Sequence, residues 1–118
     1  MGKLYIVVFT IVNTNQKVWK LGCTRKTDVA KRFQKEIDQG IIKDFKIWRS
    51  VWVEDSILEL EESNCHKEIV ETFGGYKDRF HNFWLKEMIN GLTEMRLFNY
   101  NECQYAINLL EQKGSRYK

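Results

Sequence analysis

Leu4-Tyr5-Ile6-Val7-Val8-Phe9-Thr10-Ile11-Val12 is the stretch on which the fold turns. Almost every residue in it is β-branched or aromatic. A run of that kind, without polar alternation, reads as a strand buried on both faces, and so as the centre of a sheet. Asn13-Thr14-Asn15-Gln16 follows with turn chemistry, because Asn tolerates positive φ and bonds its own backbone. Val18-Trp19-Lys20-Leu21-Gly22 is then the return strand of a hairpin. Gly22 is expected to end it, at a bulge or a close backbone approach.

Beyond the hairpin, Thr27 is the expected N-cap of a helix running to about Gln39, with Asp28 in its first turn and Gly40 as its stop. Val29, Ala30, Phe33 and Ile37 form its apolar stripe, and Arg32 lies on the flank. Phe45 to Val53 reads as a third strand. A second helix begins near Glu54 or Asp55 and continues to about Thr72, broken by Gly74-Gly75. Its stripe is Ile57, Leu58, Cys65, Ile69 and Phe73. Glu61 and Glu62 fall within that stripe, where a carboxylate is costly unless it is paired or bound to something. His66 is four residues after Glu62 and so close to the same face. A polar and aromatic loop (76–82), a short helix over Phe83 to Met88, and a last helix from Glu102 to about Lys113, capped by Asn101, complete the chain. The expected fold is α/β of the α+β type: a small three-stranded sheet with a β-hairpin start, flanked by helices in the order β-β-α-β-α-α. Residues 1–90 form the core and 91–118 a C-terminal helical extension packed on the same domain.

The 118 residues amount to one domain, and a hydrophobic content of 43% with 14% aromatic excludes intrinsic disorder. Trp19, Trp48, Trp52 and Trp84 are expected to supply much of the core. No apolar run approaches the roughly 18 residues of a membrane helix. Leu4 to Val12 is followed by no small-residue cleavage site, so it reads as a strand and not as a signal peptide. Cys23, Cys65 and Cys103 are odd in number and form no CxxC. That argues against a disulfide framework or zinc knuckle and for a reducing, cytoplasmic compartment.

Charge is unevenly placed. Between residues 17 and 35, Lys17, Lys20, Arg25, Lys26, Lys31, Arg32 and Lys35 face a single acid, Asp28. Between 54 and 71, Glu54, Asp55, Glu59, Glu61, Glu62, Glu68 and Glu71 face a single base, Lys67. This suits a polyanion-binding surface beside a carboxylate site for a cation; two solvated faces attracting each other across the fold is the alternative. There is no GxSxG, HExxH, Walker loop or GxGxxG. Cys65 and His66 are adjacent on a helix and do not face each other as a nucleophile and its base would.

Several residues together carry a resemblance. Leu4-Tyr5-Ile6 and Lys20-Leu21-Gly22-Cys23-Thr24 lie on the opening hairpin, Lys31-Arg32-Phe33 on the next helix, and Glu62-Ser63-Asn64-Cys65-His66 on the following long one. Over roughly residues 3–90 the chain resembles the GIY-YIG endonuclease superfamily, with lysine at the position of the second tyrosine. His81-Asn82-Phe83-Trp84 is similar to that superfamily's aromatic end motif. The resemblance implies a small nuclease that hydrolyses DNA with Mg²⁺ as cofactor. In it Tyr5, Lys20, Arg32, Glu62 and His66 are the catalytic residues and Glu62 is the metal ligand. Glu61 is the competing carboxylate. One carboxylate suits a hydrated Mg²⁺, and the planar fork of Arg32 suits a phosphate.

Arg25, Lys26, Lys31, Lys35 and Arg79 are the expected nucleic-acid contacts, with Lys77 beside Arg79. Several of these positions also have a structural reading: Tyr5 as a core tyrosine, Glu62 paired with His66 or a lysine, Arg32 paired with Asp28 or Glu36. If the nuclease reading holds, Tyr5, Lys20, Arg32 and Glu62 should converge on one concave patch. The other function class is a non-catalytic nucleic-acid-binding or inhibitory accessory protein on a similar scaffold, of phage or mobile-element type.

Overall fold

β1 (Gly2–Ile11) is the axis of an antiparallel sheet, flanked by β2 (Gln16–Thr24) on one side and β3 (Ile42–Val53) on the other. The computed structural model of the chain describes residues 1–25, 28–74 and 95–115. A short fourth strand, β4 (Met95–Leu97), adds to the far edge of β2, giving the order β3-β1-β2-β4. The fold is α+β, and the central position of β1 agrees with its continuous apolar sequence. The expected count of three strands is corrected to four among the described residues. A three-residue strand is too short to display an alternation, and it lies in the stretch assigned to a helical extension.

Between β2 and β3 a 3₁₀ turn (Val29–Phe33) runs directly into α1 (Gln34–Asp38). Its cap is Asp28, not Thr27: the Asp28 carboxylate accepts the Ala30 N–H at 2.9 Å. Gly40, at φ +71°, turns the chain out of the helix. After β3 comes α2 (Leu58–Phe73), and α3 (Tyr100–Ser115) closes the described chain. Asn99 caps α3, its side-chain oxygen accepting from Asn101 N at 2.9 Å and Glu102 N at 3.2 Å. Asn101 therefore lies inside the helix it was expected to cap. No described helix is long and apolar enough to cross a membrane.

The sheet divides the core in two. Tyr5, Val7, Phe9 and Ile11 of β1 point to the α1 face, where Val18, Val29, Phe33, Ile42 and Met95 meet them. Leu4, Ile6 and Val8 point the other way, into Trp19, Leu21, Leu58, Cys65, Ile69, Cys103, Ala106 and Leu110 under α2 and α3. This period-two division is what a central strand with no polar face requires.

β3 is the outer strand, and its ladder with β1 shifts register between Ile6 and Val7 and again between Val8 and Thr10. Across the first shift the β3 partners step from Arg49 to Ile47, leaving Trp48 as an extra residue. Asp44, at φ +55°, lies within the second. Trp48 turns under the sheet against Phe98, with ring centroids 5.4 Å apart. Trp52 is 48% exposed, so the expectation that it fills the core is corrected; Trp84 lies outside the described residues.

A fully buried arginine ties the last elements together. Arg96 on β4 donates to Gly74 O at 2.8 Å, to Phe73 O at 3.0 Å and to the Glu102 carboxylate at 3.3 Å. The guanidinium thereby satisfies two carbonyls at the C-terminal end of α2 and meets a carboxylate from α3.

Candidate functional site

The site is built on the hairpin of β1 and β2. Tyr5 pairs directly with Gly22, and Val7 with Lys20, so Tyr5, Gly22 and Lys20 share the α1 face of the sheet. Gly22 does not end β2, which runs on to Thr24. It is instead where another group approaches the backbone closely: a Cβ at position 22 would stand 2.5 Å from Tyr5 Oη and 2.7 Å from its Cζ. The tyrosine ring therefore leans across β2 with its hydroxyl end over the glycine. The ring also meets Phe33, edge-on at 5.8 Å between centroids. Lys20 is only 4% exposed, and its ammonium sits 5.8 Å from the centroid of the same Phe33 ring. Phe33 thus holds both side chains of the hairpin. The 3₁₀ turn that carries it also carries half-buried Arg32 one residue earlier.

The carboxylates lie on α2, across the sheet from Tyr5. Neighbouring helical positions are about 100° apart, and the structure uses that difference. Glu61 is buried toward α3, where Lys113 Nζ comes within 3.6 Å of its Oε2. Glu62 is half-buried and turned toward β2, where the Cys23 thiol donates a hydrogen bond to it. Burial, with the Glu62 carboxylate adding to it, pushes the Cys23 thiol up to about 12, so Cys23 stays protonated at neutral pH. His66 is half-buried one turn further along α2. Of the two competing carboxylates, Glu61 is tied to the helix–helix interface and Glu62 to the hairpin.

Tyr5, Lys20 and Arg32 therefore share one face, while Glu62 and His66 lie on the other. The single concave patch expected of the four is not what forms. What links the two groups is the backbone step from Gly22 to Cys23: Tyr5 covers the first residue from one side, and Glu62 contacts the second from the other. β4 pairs only with Val18, Trp19 and Lys20. Leu21 to Thr24 have no strand partner on that edge among the described residues.

The basic residues divide as well. Arg25 donates to Glu59 at 3.0 Å and to Asp55 O at 3.4 Å, which ties the end of β2 to the start of α2. Lys31 and Lys35 are exposed on the α1 side. Lys26, Lys77 and Arg79 lie outside the described residues, as does the His81–Trp84 motif. Cys23 was visible only as a member of the hairpin motif, and no spacing rule marked its contact with Glu62.

Among the described residues no three His, Cys, Asp or Glu side chains gather as an all-protein metal cage would need. Glu62 offers one hard carboxylate, and the protonated Cys23 thiol is no ligand for a hard cation. That donor set fits a Mg²⁺ that keeps most of its waters. No protein-family model matches the chain, and no curated protein or solved structure is significantly similar to it.

Proposed function

We propose that the chain is a small Mg²⁺-dependent nuclease that hydrolyses DNA phosphodiester bonds by in-line attack of water at the Gly22–Cys23 edge of β2. The observation that carries this reading is the placement of the Tyr5 hydroxyl and the Glu62 carboxylate on consecutive residues of one strand. Glu62 would hold the cation, which would supply charge stabilisation at the phosphate and leaving oxygens. The Tyr5 hydroxyl, rigid between Phe33 and Gly22, would orient the attacking water. Lys20, buried beside it, would stand near the developing negative charge. Arg32 would clamp the phosphate with its planar fork, with His66 as an alternate base or phosphate contact. Exposed Lys31 and Lys35 would meet backbone phosphates at some distance from the reacting one.

A second reading rests on the opposite-face placement of Glu62. With its carboxylate engaged by Cys23 and the sheet between it and Tyr5, the chain would bind nucleic acid through the Tyr5–Lys20–Arg32 face without cutting it. Supercoiled plasmid, incubated with Mg²⁺ and with EDTA, separates the two. The nuclease reading expects metal-dependent nicking that disappears in EDTA and in Glu62→Gln while DNA binding persists. Binding without cleavage of any duplex, single-stranded or branched substrate selects the second.

A further inference from the structure

The sheet face under α3 carries cations of its own. Thr10 pairs with Lys17 on β2 and with Lys43 on β3, so one row holds both lysines; Lys46 stands opposite Val8, one same-face step along. All three lysines are exposed. Val8 packs into the core under α2 and α3, so these rows face away from Tyr5. Rings lie among the lysines. Lys17 Nζ is 4.2 Å from the Phe98 ring centroid, Phe98 meets Trp48 edge-on, and Trp48 meets Tyr100 at 6.2 Å between centroids. Phe98 and Trp48 are half-buried, whereas Tyr100 at the start of α3 keeps 61% of its surface open. Acids do little to offset the charge. β1 and β2 contain none, and β3 contains Asp44 alone. Both carboxylates of α3 are engaged, Glu102 by Arg96 and Glu111 by Arg49, at 3.3 Å each. Among the described residues none of Lys17, Lys43 and Lys46 pairs with a carboxylate. A nucleic-acid strand meets such a surface with its phosphates at the lysines and an unpaired base on the open ring; an acidic protein segment would use the lysines and leave the ring idle.

We propose that Lys17, Lys43, Lys46 and Tyr100 form a second nucleic-acid contact, which takes a single strand with its phosphates along the lysines and one base stacked on Tyr100. The proposal rests on the reading that the chain binds nucleic acid, with or without cleavage. Lys17 and Gly22 lie five residues apart on β2, about 17 Å at the rise of a β-strand, and the odd spacing puts them on opposite faces of the sheet. The contact is therefore separate from the Gly22–Cys23 edge and lengthens the stretch of nucleic acid that the protein engages.

Lys17→Ala/Lys43→Ala/Lys46→Ala and Tyr100→Ala test this with a single-stranded oligonucleotide, in EDTA so that cleavage plays no part. The substituted side chains are exposed, and circular dichroism verifies that the fold is kept. Removing three phosphate contacts should cost about tenfold or more in affinity at low salt and reduce the slope of log affinity against log salt by roughly 2–3. Tyr100→Ala should lose about fivefold or more with the slope unchanged, and Tyr100→Phe should recover most of that loss. An affinity unchanged in either alanine variant overturns the proposal. So does a poly-glutamate peptide that wild type binds as tightly as the oligonucleotide, which would give the surface to an acidic protein segment. Lys31→Ala/Lys35→Ala is the control for the underlying reading. If that variant alone weakens binding, the second contact fails and the underlying reading stands. If wild type binds no nucleic acid, both fail.

Discussion

The hydroxyl end of Tyr5 rests over the Cα of Gly22, its direct partner across the hairpin, at a distance that leaves no room for a side chain. Sheets use such an arrangement to cover a glycine that has nothing of its own to pack. Gly22→Ala must push the ring away and should destabilise the fold by about 1–3 kcal/mol, as overpacking does. Tyr5→Leu in the same chain should return part of that loss. The resulting coupling energy is measurable as a double-mutant cycle from urea unfolding midpoints. Purely additive losses would show that the ring and the glycine are independent.

Glu61 and Glu62 should separate cleanly. Glu61→Gln breaks a buried contact with Lys113 and should cost on the order of 3 kcal/mol, with any cleavage activity retained below the lowered melting temperature. Glu62→Gln should leave the melting temperature near wild type and remove cleavage by orders of magnitude. The reverse pattern would assign the metal to Glu61.

Arg96→Ala should be the most destabilising of the single substitutions considered. It removes the guanidinium from the buried Glu102 carboxylate and from the two carbonyls at the C-terminal end of α2. A loss of about 3–5 kcal/mol is expected, read as a fall in thermal midpoint. Arg96→Lys keeps the charge but not the fork that spans three acceptors, so it should recover only a minor part.

Stability should decline in alkali. Burial pushes Cys65 up to about 11 and Cys103 up to about 12, against an ordinary thiol value of 9.0. Between those values the folded chain keeps protons that the unfolded chain releases. The thiols' contribution is therefore complete below pH 9 and is lost as pH rises through 11 and 12. Urea midpoints measured at pH 8 and at pH 10.5 should show the fall, and it should be shallower in Cys65→Ala/Cys103→Ala. Equal slopes in both proteins would count against the thiols as its source.

Lys31 and Lys35 should act on nucleic acid through salt. Each phosphate contact removed should reduce the slope of log affinity against log salt by roughly 0.7–0.9, on any sequence. A slope unchanged in Lys31→Ala/Lys35→Ala would move the phosphate path elsewhere.

The sequence made the central strand and the hairpin readable, because nine residues in a row of which only Thr10 is polar admit few other interpretations. The long helix carrying Glu62 was equally plain. Two features resisted. In sequence β3 shows itself only from Phe45, although it starts at Ile42, because its register shifts break the alternation that marks a strand; Lys46 and Arg49 then look like interruptions. The arrangement of the site about Gly22 and Cys23 was hidden for another reason. Periodicity places Glu62 near the apolar stripe of its helix, but which side of the sheet that helix covers depends on a crossover that no local spacing encodes. Arg96 gave no signal at all, since a basic residue in a three-residue strand reads as surface.

The paired irregularities of β3 make the length of that strand count in twos. Val51 and Val53 pack on one side of the sheet, Phe45 on the other, and Ile42 with Phe45, although the first two and Phe45 are all odd-numbered positions. Each extra residue inverts the inside–outside order of what precedes it, and the second inversion restores the first. Trp48 has no partner of its own on β1, so removing it alone would close the first irregularity and leave Ile47, Lys46 and Phe45 facing as they do now. One residue added beside it would instead turn the residues between the two irregularities inside out, sending Phe45 toward solvent, whereas two added residues would restore their facing. Single-residue insertions next to Trp48 should therefore be far less tolerated than two-residue ones.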